Sequence, residues 1–393
     1  MKSIHTLFPD GLRDRLLTLR RDLHRHPELS LKEERTGQRL HDELAQLNPA
    51  VLKRVGTGVI ARFKGTDPKA PVIAIRGDID ALPIQEETGL DYASQNPGVM
   101  HACGHDVHAT WAVGAAHLLT RQPPPGDVVI VLQPAEEEGD GALLMIEGGA
   151  LEGVDAIVGG HVDRRFPVGE VLADAGPVNA AADIFTITLI GAGAHGARPH
   201  EAADPIVAAA SLVGELQTIV SRRLNPATPA VVTVGTIHAG TAANVIPDRC
   251  VLTGTLRSFD PATRDLLHAE VKRIADAAAV LHRLKAEVKL ERGSPPVVNQ
   301  VGPATWARSA VAKLLGDKAL ASLGFLNMGG EDFAYYLEKV PGCFVRIGAR
   351  EPGGESIPAH SPRFYAADDA IFVGAAVLAE TARVAASELA KAR

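Results

Sequence analysis

The sequence predicts an α/β protein: a mainly parallel sheet flanked by helices, interrupted by an inserted ferredoxin-like α+β domain. Three observations carry that expectation. Short apolar runs at 72–75, 128–132 and 156–158 are separated by stretches with helical spacing, the alternation that a parallel sheet covered by helices requires. The middle of the chain instead reads β-α-β-β-α-β, the split pattern of a four-stranded antiparallel sheet backed by two helices. Gly and Ala abound while aromatics make up only 4%, which suits tightly packed α/β layers better than a β-sandwich.

Each element has its own signal. Leu12, Leu16, Leu19 and Leu23 recur at helical spacing, so the chain opens with an amphipathic helix. Helical stretches over 108–119 and 142–145 lie between the apolar runs. Over 183–189 the pattern alternates, with Phe185, Ile187 and Leu189 on one face and Thr186 and Thr188 on the other, as in a half-buried strand. A helix over 205–220, strands over 231–237 and 250–257, a helix over 261–281 and a strand over 286–290 complete the middle segment. Pro295-Pro296 breaks the chain there; helix and strand resume at 306–315 and 344–347, and an Ala-rich helix covers 367–390. The boundaries that follow are 1–181 and 294–393 for an outer domain in two parts, and 182–293 for the insertion.

Composition excludes several classes. A length of 393 residues suffices for two cores, and 46% apolar with 22% charged residues is an ordinary globular balance. A net charge of −7 argues against a nucleic-acid partner, which is normally met by a basic face. Cys103, Cys250 and Cys343 form no disulfide framework, so a reducing compartment fits. The first twenty residues scatter charges at Asp10, Arg13, Asp14 and Arg15 and hold no signal-peptide core. No run approaches the roughly 18 apolar residues of a membrane span. The expectation is a soluble cytoplasmic protein with no membrane partner.

The chemistry gathers where strands end. Ile73 to Arg76 runs into Gly77-Asp78-Ile79-Asp80, Val131-Leu132 into Gln133-Pro134-Ala135-Glu136-Glu137-Glu138, and Ile157 to Gly160 into His161. Ligand sites of open parallel sheets form beyond the carboxyl ends of the strands, so these residues should meet at one rim. The densest cluster is His101-Ala102-Cys103-Gly104-His105-Asp106-Val107-His108. It could supply two or more ligands to a transition metal, or be a buried Cys before a helix capped by Asp106. Glu136-Glu137-Glu138 reads either as a solvated helix start, or as one carboxylate for a metal and a neighbour for proton transfer. Alone, Asp80 reads as a turn residue and His161 as a core histidine; the shared rim favours a common site over separate accidents. In the insertion, Gly191-Ala192-Gly193-Ala194-His195-Gly196 leaves His195 as its only reactive side chain, or simply an exposed loop histidine. A polar loop runs from Gly240 to Pro247, and Arg257 ends the next strand, suited to a carboxylate or to a surface ion pair.

These residues carry a family resemblance over nearly the whole chain. The segments are Leu23-His24-Arg25-His26-Pro27-Glu28, Asp78-Ile79-Asp80-Ala81-Leu82-Pro83, Met100 to Asp106, Gln133-Pro134-Ala135-Glu136-Glu137, Gly193-Ala194-His195, Asn244-Val245-Ile246-Pro247, Met328 to Ala334, and His360-Ser361-Pro362. The chain resembles the hippurate hydrolase branch of the aminoacylase and carboxypeptidase metalloenzymes, which includes N-acyl-amino-acid and auxin-conjugate amidohydrolases. The resemblance implies a metal-dependent amidohydrolase that cleaves a small N-acyl amino acid at a centre of two divalent metals. Zinc or manganese suits that centre, with cobalt and nickel open. It implies Cys103 as bridging thiolate, His105 and His161 completing one metal, and Glu137 and His360 the other; by itself His360 reads as a loop histidine. Asp80 would orient a ligand histidine and Glu136 would be the general base. His195 would stabilise the oxyanion from the partner subunit of a homodimer. Asn244 and Arg257 would hold the substrate's carboxylate, and the insertion would serve as lid and dimerisation domain.

The chain also departs from the pattern. Val162-Asp163-Arg164-Arg165 stands where similar enzymes carry Trp-Pro, Glu138 and Asp140 where they carry glycines, and Tyr365 where Asp is usual. These positions bear on acyl-group and side-chain preference. Two alternatives stay open: a dipeptidase or carboxypeptidase of the same family, and a binding protein that keeps the fold without turnover.

Overall fold

The apolar runs form strands because Val and Ile fill both faces of a sheet covered on each side. Ile73–Asp78 and Val128–Gln133 are buried throughout. The third run extends much further than its apolar residues suggest, over Ala156–Pro167. The computed structural model describes residues 2–392. They divide into two units: one runs to Val178, resumes over Val298–Phe325 and continues from Asp332, and the other comprises Asn179–Val297 with Leu326–Glu331.

The first unit is built on a mixed sheet. Among the described residues its strands lie in the order Val51–Val55, Gly58–Phe63, Val128–Gln133, Ile73–Asp78, Ala156–Pro167, Gly342–Arg350, Val171–Leu172, Leu320–Ala321. The central four are mutually parallel. From Ile73–Asp78 the chain moves first to one neighbour and then to the other, a reversal that opens a crevice beyond the strand ends. The hairpin over Val51–Val55 and Gly58–Phe63 is antiparallel, and Lys53, Arg54 and Arg62 interrupt its apolar pattern.

Helix His105–Arg121 lies against Ile73–Asp78 and is buried around almost its whole circumference. The reason is Asp369–Ala392, which packs on its other side. Close approach there depends on Gly374, where a Cβ would stand 2.2 Å from the Trp111 ring. Asp369–Ala392 is long and apolar enough to cross a membrane, contrary to the sequence expectation, yet 83% of its apolar window is buried inside the protein. Its hydropathy belongs to a core helix.

The second unit is a four-stranded antiparallel sheet in the order Ala230–Ala239, Arg249–Ser258, Ala181–Ile190, Lys285–Arg292. Alternation in the central strand sorts its faces: Phe185, Ile187 and Leu189 are fully buried, while Ile184 is 51% exposed. Two helices cover the buried face through Leu212, Leu216, Leu267 and Val271. Each starts as its sequence dictates. Asp204 accepts from the Ile206 and Val207 amides before Pro205–Thr218, and Asp260 accepts from the Thr263 amide before Pro261–Leu281.

Candidate metal centre

Three loops and one strand of the first unit bring titratable side chains together. Gly104 has φ of +89° and a Cβ there would fall 2.5 Å from Val162. Glycine lets the chain turn sharply enough for Cys103 and His105 to face one point, with His105 opening the helix His105–Arg121. Beyond Val128–Gln133, Ala135 adopts φ of +52°. A left-handed alanine costs roughly 1–2 kcal/mol, and the turn it makes presents Glu136 and Glu137. His161 does not sit beyond a strand end, as the sequence suggests. The strand continues to Pro167 because Gly342–Arg350 pairs with it through Asp163, and His161 faces Arg346 across that ladder.

Ligating atoms of Cys103, His105 and His161 lie within 4.8 Å of one another, and so do those of Cys103, Glu137 and His360. Cys103 belongs to both groups. Its Sγ is 3.2 Å from His161 Nε2, and His360 Nε2 is 3.3 Å from Glu137 Oε1. Glu136 and Glu137 each place a carboxylate oxygen 3.9 Å from His105 Nε2.

Hydrogen bonds fix which ring nitrogens face the cluster. His161 Nδ1 lies 2.6 Å from the Val162 carbonyl, which can only accept, so Nδ1 carries the proton and Nε2 the lone pair. His105 Nδ1 donates to the carbonyl and to Oδ1 of Asp80, each at 3.0 Å, and its buried Nε2 makes no well-formed hydrogen bond. Asp80 also accepts from Ser30 Oγ at 2.7 Å and from the Glu137 amide at 3.0 Å. One carboxylate thus ties His105 to the backbone of Glu137. Beneath them, His108 donates from Nδ1 to Asp78 at 2.6 Å and accepts the Val162 amide at Nε2.

The electrostatics suit a cation. Burial pushes the Cys103 thiol well up and the charges of Glu137 and Glu136 add to it, so only positive charge nearby would favour the thiolate. Burial lowers His161 well below the ordinary histidine value, with His108 and Arg346 contributing, leaving a neutral imidazole. Burial would lower His105 too, yet Asp78 and Asp80 raise it well above that value, the preference a cation at Nε2 would satisfy. For Asp80, burial pulls upward, but His105, the Glu137 amide and Ser30 hold it below the ordinary carboxylate range. One thiol, three imidazoles and a carboxylate therefore fit two divalent ions, with a softness that suits zinc.

Two of the departures from the family pattern, Arg164 and Tyr365, meet in one place. Arg164 is buried and its guanidinium holds the Glu351 carboxylate and the carbonyls of Ala349, Glu355 and Tyr365, 4.1 Å over the Tyr365 ring. The Tyr365 hydroxyl donates to Glu351 as well. Together they clasp the segment that bears His360, itself at φ of +67° with its amide donated to the Ala102 carbonyl. Sequence reasoning missed Ser30, Glu33 and this clasp. Glu33 sits in the charge run Lys32-Glu33-Glu34, which reads as solvated, yet it is fully buried.

In the second unit, Ala194–His195 pairs with Val245–Ile246, so His195 and Asn244 share one small ribbon. It borders an open cavity of about 620 Å³ lined by His195, Thr241, Ile246 and Arg249. His195 is exposed, and its Nδ1 accepts the Ala197 amide at 3.0 Å, which leaves Nε2–H as a donor. Arg257 is not near them. It lies toward the far end of Arg249–Ser258, paired with Ala182, and its guanidinium reaches the Leu256 carbonyl. Eight residues of strand separate it from Arg249 beside the ribbon, about 26 Å.

Comparison with known proteins gives this arrangement its context. The chain is 41% identical over 382 residues to an N-acetyl-L-cysteine deacetylase of Bacillus subtilis, covering 95% of this chain and 88% of that one. It is 39% identical over 376 residues to an IAA-amino acid hydrolase of Arabidopsis thaliana, covering 94% and 84%. The crystal structure of a dinuclear metal-binding M20 peptidase from Bacillus subtilis superposes with a TM-score of 0.84 at 37% identity, covering 96% of this chain and 99% of that one. The model of peptidase family M20/M25/M40 matches residues 74–384, and the chain belongs to that family of metal-dependent hydrolases.

Proposed function

We propose that this protein hydrolyses the amide bond of small N-acyl-L-amino acids, releasing a carboxylic acid and a free amino acid. The observation that carries the reading is the sharing of Cys103 between two donor groups with the Glu136 carboxylate beside them. The names of two relatives, a deacetylase of an N-acetyl amino acid and a hydrolase of acyl-amino-acid conjugates, point to the same bond.

Cys103, His105 and His161 would hold one divalent ion, and Cys103, Glu137 and His360 the other. When bound, zinc or manganese supplies Lewis acidity, which acidifies water and draws electron density from the scissile carbonyl. Glu136 takes the proton of the attacking water and returns it to the departing amine. Asp80 keeps the His105 ring turned with Nε2 inward. His195 donates its Nε2–H to the oxyanion of the tetrahedral intermediate, while Asn244 and Arg257 hold the substrate's carboxylate. The separation of the His195 ribbon from Arg257 is longer than a small N-acyl amino acid such as N-acetylcysteine or hippurate. It supports a homodimer in which one subunit supplies Arg257 and its partner supplies His195 and Asn244, with the insertion as lid and dimerisation domain.

The experiment is metal content per chain, followed by release of amino acid from N-acetylcysteine, hippurate and an indoleacetyl amino acid, against the same compounds with a free amine in place of the acyl group. About two ions and metal-dependent cleavage of the acylated set uphold the reading. Preference for free-amine dipeptides makes the protein a dipeptidase. Metal binding without turnover of any substrate leaves a binding protein.

A further inference from the structure

Segment 28–33 reaches into the centre from outside it. The Glu28 carbonyl accepts the Ala81 amide, Leu29 bridges to Ala81, and Ser30 donates to Asp80. Leu31 is left-handed, at φ of +61°, and 52% exposed, a conformation that needs its flanking contacts to hold it. Glu33 follows. It is completely buried, its Oε2 accepts the Thr57 hydroxyl at 2.6 Å, and its Oε1 accepts the Ala135 amide at 3.0 Å.

Ala135 is the left-handed residue immediately before Glu136 and Glu137, and it too is completely buried. Its amide would otherwise be orphaned in the interior, and its backbone would relax toward the allowed region, swinging both glutamates. Asp80 holds the turn from the other side, through the Glu137 amide. The two carboxylates, Glu33 and Asp80, grip the turn on either side of Glu136.

We propose that Glu33 is a positioning residue. As an acceptor anchored by Thr57, it holds Ala135 in its left-handed conformation and so aims Glu136 at the substrate and Glu137 at the metal. The inference rests on the proposed hydrolase reading for the part played by Glu136; the part played by Glu137 needs only that the cluster binds metal. What matters is the acceptor oxygen, so glutamine should replace Glu33 and alanine should not.

The test uses the full chain, with zinc affinity by chelator competition as one readout and kcat and KM on an N-acyl amino acid as the other. Glu33→Ala should weaken zinc binding about tenfold or more and lower kcat by a similar factor with KM little changed. Glu33→Gln, with its amide oxygen toward Ala135 and its NH2 toward Thr57, should stay within about threefold of the parent on both readouts. Adding Ala135→Gly to Glu33→Ala should restore most of the loss, because glycine takes positive φ unaided. Should Glu33→Ala fail to fold, Thr57→Val, which loosens the anchor, should show a smaller loss in the same direction. Parent-like zinc affinity in folded Glu33→Ala, or in Thr57→Val where that variant stands in, overturns the proposal. So does a loss that Ala135→Gly leaves untouched, which would make Glu33 a packing residue. If the parent cleaves no N-acyl amino acid, the hydrolase reading fails while zinc affinity still decides the role of Glu33.

Discussion

Glu136 and Glu137 are neighbours of one type, and the proposed function gives them different work. The Glu137 amide is fixed by Asp80 and its carboxylate meets His360, whereas the Glu136 carboxylate, equally near His105, is the one the proposed reading keeps for proton transfer. Glu136→Gln should therefore cost about 10²–10⁴ in turnover with metal content unchanged; loss of metal instead would mean the two roles are exchanged. A second residue tests burial away from the centre. Burial, then the charge of Arg15, holds His117 down to about 4, and its Nε2 has no hydrogen-bond partner among the described residues. An unfolded histidine takes its proton near 6.5. With the folded value depressed, the contribution of the neutral ring is present above pH 6.5 and lost as pH falls toward 4. Its size is on the order of 1–2 kcal/mol once discounted for a partly exposed ring. His117→Leu should flatten the stability profile in that window, and a profile parallel to the parent's would show the ring is indifferent. Legibility in the sequence varied with chemistry: Cys103 and His105 announce themselves by spacing, His360 only by resemblance. Glu33 was hidden because a charge run carries no mark of which member turns inward.

At the scale of elements, the long strand Ala156–Pro167 and the loop before Asp369–Ala392 are joined by the Arg164 clasp. Arg164→Gln removes the cation between Glu351 and Tyr365 and leaves the His360 segment held by its amide to Ala102, by the Glu87 amide on the Pro362 carbonyl and by the Tyr365 hydroxyl on Glu351. The expected outcome is faster protease cleavage within 351–359 and zinc affinity weakened about tenfold. Cleavage at the parent's rate would show that the clasp does not hold the loop. This also recasts the sequence departures: Arg164 and Tyr365 are partners of each other, which spacing 201 residues apart could not reveal. The apolar run at 156–158 understates the strand Ala156–Pro167 for a related reason. Val162-Asp163-Arg164-Arg165 looks like a polar loop, but Asp163 pairs with Arg165 and Arg164 turns into the protein. Of the hairpin, Val51–Val55 is an edge strand and needs no apolar run, whereas Gly58–Phe63 is internal and Arg62 cuts its run Val59-Ile60-Ala61 short.

For the molecule as a whole, the geometry that bears on the proposed homodimer is the length of strand Arg249–Ser258 between Arg249, beside the ribbon of His195 and Asn244, and Arg257. If sites are shared, mixing His195→Ala with Glu136→Gln subunits should restore up to about a quarter of parental activity, from the one intact site in each heterodimer. No recovery after verified subunit exchange would place His195 in its own subunit's site. The β-α-β-β-α-β order of the second unit and the parallel core of the first were both readable, because period and capping residues act locally. The return of Leu326–Glu331 to the second unit was not, since nothing local marks it. That interrupted layout has a consequence for synthesis on the ribosome. Strand Gly342–Arg350 fits between Ala156–Pro167 and Val171–Leu172, and Asp369–Ala392 covers the helix His105–Arg121. Both are translated only after the whole of Asn179–Val297. The nascent first half must hold an uncovered helix and an unpaired strand edge while more than a hundred further residues emerge. In that interval it is the kind of surface that holdase chaperones bind.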